Sequence, residues 1–122
     1  MQHFKSAILG LALGSTVSFA GDCVQPESPV MPDGANSSME DMLEGQKSIK
    51  TFQTVNLEYM ACLEKEFTAA EAATLEGSDE EKAAAQATYT EAVDAYNAAV
   101  SKEEEIAGQF NTEIREFKAA NP

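Results

Sequence analysis

Two long stretches of this chain carry apolar residues at helical spacing, and a single break separates them. Between residues 37 and 76 there is no proline, and glycine occurs only at Gly45. Met42, Ile49, Phe52, Tyr59, Leu63, Phe67 and Ala70 recur at steps of three, four or seven, which places them on one face of a helix. Asn56 falls in that stripe as a polar exception, able to set register at a cost in stability. Ser37 with Glu40 reads as a capping box at the start, Ser37 being the N-cap. Gly77-Ser78 then interrupts the pattern, and Ser78 with Glu81 forms a second capping box, with Asp79 and Glu80 in the same positive first turn. Tyr89, Val93, Tyr96, Val100, Ala107, Phe110, Ile114 and Phe117 keep a seven-residue repeat. Glu103 interrupts it, with Ile106 beside it as a substitute, and Arg115 and Lys118 suit the negative end.

The pattern predicts an all-α fold: a long antiparallel, coiled-coil-like two-helix hairpin with helices over about residues 37–76 and 78–119. At 1.5 Å per residue each helix would be about 60 Å long. With the turn at Gly77, position i should face roughly position 154 minus i. Ile49 then meets Ile106, and Met42 lies near Phe110 to Ile114. The half nearer the turn is rich in alanine, including Ala69, Ala70, Ala72, Ala73, Ala83, Ala84 and Ala85. These favour the helix and keep that end thin.

Ahead of the hairpin the chain changes character twice. Lys5 is followed by the apolar run 7–13 and by small residues ending at Ala20, the layout of a cleaved secretory signal over residues 1–20. The apolar run is too short to span a bilayer, which needs roughly 20 such residues. Cys23 is not the first residue after the expected cut, so a lipid anchor is not expected. Residues 21–36 form an extended arm in which Pro26, Pro29 and Pro32 recur every third residue, the period of a polyproline II helix. Asp33-Gly34 supplies a turn at its end.

Cys23 and Cys62 are the only cysteines, and in an exported chain such a pair becomes a disulfide. The geometry permits it. Ser38 to Cys62 is about 36 Å of helix, and the stretch from Cys23 to Ser38 reaches about 46 Å in polyproline conformation. The arm can therefore run back along helix one and bring Cys23 to Cys62. The run Cys23-x-x-Pro26-x-x-Pro29-x-x-Pro32-Asp33-Gly34, followed by a capped helix ending Tyr59-x-x-Cys62-Leu63, resembles a group of small uncharacterised exported proteins of Gram-negative bacteria. The resemblance covers residues 23–63. It implies a periplasmic location and supports the Cys23–Cys62 pairing, and it implies no activity.

Composition narrows the function further. The formal charge is -13, and it becomes -14 once Lys5 leaves with the signal. Such acidity disfavours nucleic acid and anionic lipid surfaces. The one histidine, His3, lies in the signal, and both thiols are assigned to the disulfide. The commonest general base, the strongest nucleophile and the ligands of zinc and copper sites are thereby missing. The chain is expected not to be an enzyme, and no cofactor, metal or membrane anchor is expected.

The leading expectation is a non-catalytic periplasmic hairpin that binds another protein or itself. Its interaction surface would be the tip, where Phe67, Tyr89 and Val93 extend beyond the reach of the arm. The alternative is a small acidic inhibitor or immunity factor that meets a cationic enzyme through Glu103-Glu104-Glu105. Calcium binding at residues 79–81 or 103–105 is disfavoured, since consecutive carboxylates on a helix diverge by about 100°.

Overall fold

The computed structural model describes residues 23–122; the expected signal segment, residues 1–20, lies outside the described residues. An extended arm, residues 23–33, leads into a 3-10 turn at Gly34–Asn36. Helix α1 spans Met39–Ala73 and helix α2 spans Asp79–Ala120. The two helices pack against each other as an antiparallel hairpin, and there is no strand among the described residues. No described helix is long and apolar enough to cross a membrane.

The helix ends differ from the sequence expectation by local chemistry. The N-cap of α1 is Ser38, not Ser37, and its box partner is Asp41, not Glu40. The Ser38 hydroxyl accepts from the Asp41 amide at 3.1 Å, and the Asp41 carboxylate accepts from the Ser38 amide at 3.0 Å. The 3-10 turn uses the preceding residues and leaves Ser37 extended behind it, so the helix begins one residue later. At the other end α1 stops at Ala73 rather than near residue 76. There the Leu75 and Glu76 amides turn back to the Ala72 and Ala73 carbonyls, tightening the last turn. Gly77, at φ 93°, then reverses the chain in a region open to glycine. Ser78 caps α2 as expected by accepting from the Glu81 amide, while the Glu81 carboxylate bonds the Ser78 hydroxyl instead of its amide.

The buried centre of the hairpin is a ladder with a seven-residue spacing on each helix. On α1 it is Met42, Ile49, Asn56, Leu63 and Ala70; on α2 it is Ala92, Ala99 and Ile106. Leu63 is 1 % exposed, and Ile49, Phe52 and Ile106 form one core cluster with Met31 and Phe110 packed on it. Asn56 is 2 % exposed, and its amide donates to the Ala99 carbonyl on the facing helix at 3.1 Å. That bond places Asn56 one residue beyond its expected partner and gives the polar position a register role. The repeat read from the sequence on α2 is not the centre. Tyr89, Tyr96, Phe110 and Phe117, with Val93, Val100, Ala107 and Ile114, are all half-buried beside it. Alanine wins the central line because its small side chain lets the helix axes approach, a property that hydrophobic ranking underweights.

The arm lies along one side of this ladder. Cys23, Pro26, Pro29 and Pro32 are half-buried, while Val24, Gln25, Glu27, Ser28 and Val30 point outward, so the period of three holds over its length. Cys23 is bonded to Cys62, with a Cα–Cα distance of 5.5 Å. Pro32 sits on Gly45, where an added Cβ would come within 2.7 Å of the proline ring. At the lower end a Cβ on Gly34 would overlap the Glu113 carbonyl of α2, and the Gly34 amide donates to the Glu113 carboxylate at 3.0 Å. Glycine is required there because the backbone turns directly against another backbone.

Candidate functional site

Helical phase divides the hairpin into two unlike sides. One carries the arm, with Gly45, Phe52, Tyr59, Cys62 and Glu66 from α1 and Ala95, Ala98 and Glu116 from α2. The opposite side has no third element among the described residues. Met39, Leu43, Leu57 and Met60 of α1 fall on it, as do Val93, Tyr96, Val100, Phe110, Ile114 and Phe117 of α2. Met39, Leu43 and Leu57 are 59 %, 57 % and 57 % exposed, large values for such side chains. At the end away from the turn this side opens into a groove of about 370 Å³, lined mainly by Met39, Met42, Leu43, Phe110, Ile114 and Phe117.

The tip residues Phe67, Tyr89 and Val93 are half-buried on the same side as that groove. Phe67 meets Tyr89 edge-to-face at 6.2 Å between ring centres and Tyr96 at 5.8 Å. The aromatic group thus holds the two helices together near the turn and forms the upper end of the apolar side. Sequence reasoning placed the expected surface at the tip and missed the groove. Its signal was present in Met39 and Leu43, which lie one helical step away from the central stripe on α1.

The acidic segments are placed unevenly. Of the 103–105 cluster, Glu105 pairs with Lys102 at 3.4 Å and Glu103 is half-buried at 3.5 Å from the Asn56 amide, while Glu104 is exposed. The carboxylates that do converge come from distant positions: oxygens of Asp33, Glu113 and Glu116 lie within 4.8 Å of one another. The 3-10 turn brings Asp33 against α2, and Glu113 and Glu116 are neighbours on that helix, a juxtaposition no local spacing announces.

This convergence sets a measurable pH signature. The hydrogen bond with Glu113, followed by the negative charges of Glu113 and Asp33, raises the pKa of Glu116 above its ordinary 4.5. A carboxyl with a raised folded pKa stabilises the fold in its protonated form. That contribution is fully present below 4.5 and fades as pH rises through the folded value. Asp41 has the opposite sign. The Ser38 amide, then the Ser38 hydroxyl, lowers its pKa below 3.8, so its contribution is present above 3.8 and fades as pH falls through the folded value. A carbon-detected NMR titration should show Glu116 titrating above 4.5 and Asp41 below 3.8. Glu113→Gln should bring Glu116 back toward its ordinary value. A Glu116 midpoint at or below 4.5 would contradict the Glu113–Glu116 hydrogen bond.

The disulfide has its own surroundings. A carboxylate oxygen of Glu66 lies within 4.8 Å of both Cys23 Sγ and Cys62 Sγ. Burial first, and the negative charge of Glu66 second, raise the pKa of the Tyr59 hydroxyl above 10.0.

Together these features define a disulfide-stapled helical hairpin with one covered side and one open apolar side. No protein-family model matches the chain, and no curated protein and no solved structure is found to match it.

Proposed function

We propose that this chain is a non-catalytic, exported helical-hairpin protein that binds a helix along the side opposite its arm. The observation that carries the reading is the one-sidedness of its apolar surface. Met39, Leu43 and Leu57 stand exposed on the side where no element covers the hairpin. A third helix laid against two antiparallel helices completes a three-helix bundle, and an apolar stripe in a groove is a common way to recognise a helix. The methionines Met39, Met42 and Met60 suit such a surface, since their unbranched side chains adapt to the partner. Phe67, Tyr89 and Val93 form the upper end of the same surface. The Cys23–Cys62 disulfide supports an oxidising compartment such as the periplasm. The helix comes from a second copy or from another exported protein, and one experiment separates the two.

A photo-crosslinking residue placed at position 43 and, as a control, at position 84 on the exposed face of α2 tests this in the cell. Position 43 should give a defined product and position 84 should not; its mass distinguishes a self-dimer from a foreign partner. Leu43→Glu should remove the crosslinked species formed from a probe at position 57, with helicity and melting temperature unchanged, because Leu43 is mostly solvated in the isolated hairpin. Equal crosslinking at positions 43 and 84, or a product that survives Leu43→Glu, would overturn the assignment. Phe67→Ala serves as the companion variant, since it weakens both the tip and the upper end of the surface.

A further inference from the structure

We propose that Glu66 guards the Cys23–Cys62 disulfide against thiols, slowing its reduction by placing a fixed negative charge beside both sulfurs. Glu66 lies one helical turn beyond Cys62 on α1, so the helix itself aims its side chain at the bridge. Its carboxylate oxygen is within 4.8 Å of either Sγ, and one of its oxygens is shut off from solvent. Burial first, and this charge second, raise the pKa of the neighbouring Tyr59.

The chemistry is thiol–disulfide exchange with an external thiol as reductant. An incoming thiolate attacks one Sγ and forms a new S–S bond. The Cys23–Cys62 bond breaks, and its electron pair stays on the other Sγ as a thiolate. A second external thiolate then attacks the external sulfur of the mixed disulfide, forming the external S–S bond and releasing the protein Sγ with the electron pair as a second thiolate. Two external thiols are oxidised to their disulfide, and two cysteines are left reduced. Whichever sulfur leaves, its new negative charge appears within 4.8 Å of the Glu66 carboxylate. A like charge at that range raises the pKa of the departing thiol, and a thiol of higher pKa leaves more slowly. An anionic attacker meets the same charge on approach.

What the guard protects is the arm. The disulfide ties down its first residue, while Pro32 on Gly45 and Gly34 on Glu113 hold its other end. With the bridge open, only the lower contacts would keep the arm and its Met31 over Phe52.

The test uses the full oxidised protein, three thiols and Glu66→Gln. Glutathione attacks as a doubly anionic thiolate, 2-mercaptoethanol as a singly anionic one and cysteamine as a zwitterion. Rates are read by quenching with an alkylating agent and weighing the intact protein. Glu66→Gln should speed reduction by 2-mercaptoethanol about threefold, as a fall of about one unit in leaving-group pKa would do. It should speed glutathione more and cysteamine less, so the glutathione-to-cysteamine rate ratio rises about fivefold or more. High salt should shrink the ratio's dependence on residue 66, and Glu66→Asp should keep most of the wild-type discrimination. Unchanged rates with all three thiols would overturn the proposal. So would an equal acceleration of all three that is the same at low and high salt, which is what simple loosening of the helix would produce.

Discussion

Replacing Cys23 and Cys62 together by Ser is expected to lower the stability of the hairpin by about 3 to 4 kcal/mol. The bridge closes a loop with a sequence separation of 39, and a loop of that length restricts the unfolded chain by about that amount in the chain-entropy model. The loss bears on a chain with little core: among the described residues the buried apolar side chains are one ladder and Phe52. The melting temperature should fall, and the arm should show fast amide exchange down to Pro32. Helices α1 and α2 should remain, because their caps and the ladder from Met42 to Ala70 do not depend on the bridge. Urea unfolding of the oxidised protein and the double variant, followed by circular dichroism, measures the difference. A change below about 1 kcal/mol would show that the arm is held by its proline and glycine contacts alone.

Phe52→Ala is expected to cost about 3 to 5 kcal/mol, the usual loss for truncating a buried aromatic residue. Phe52 is buried in the cluster with Ile49 and Ile106, and the arm covers it through Met31. It is therefore the residue where all three layers meet. Leu75→Ala, at a side chain 78 % exposed beyond the end of α1, should stay within about 0.5 kcal/mol. Since Phe52 lies beneath the arm, its loss and the loss of the disulfide should not add fully. A four-variant cycle measures that coupling. If Phe52→Ala cost no more than Leu75→Ala, Phe52 would not belong to a core beneath the arm.

The hairpin itself was legible because helical signals are local. Proline-free periodic runs, serine caps and the break at Gly77 are each written within a few residues, and they specify two helices and their antiparallel pairing. The Cys23–Cys62 bridge was legible too, because the lengths of an extended arm and of a helix follow from residue counts. The N-cap was misplaced by one residue since Ser37-Glu40 and Ser38-Asp41 are equivalent as strings. Only the turn at Gly34–Asn36 decides between them. The alanine centre of α2 was missed for a different reason. A pattern search weighs hydrophobicity, whereas the central line of a close helix pair selects small volume, and Ala92 and Ala99 supply it.

The surfaces proposed to act in this protein show the same division. Their residues are all in the sequence, but their grouping is not. Periodicity and residue counts alone specified two amphipathic helices and an extended arm that can reach Cys62. Which side of the hairpin the arm covers is set by Gly45 admitting Pro32 and by Gly34 admitting the Glu113 backbone. Those two contacts join parts of the chain that the sequence holds far apart. They leave Met39, Leu43 and Leu57 open on the other side and draw Asp33 to Glu113 and Glu116. The bridge in turn places Glu66 beside both sulfurs. Close packing decided these groupings, because contact between distant segments depends on shape at the ångström scale, and no local spacing encodes it.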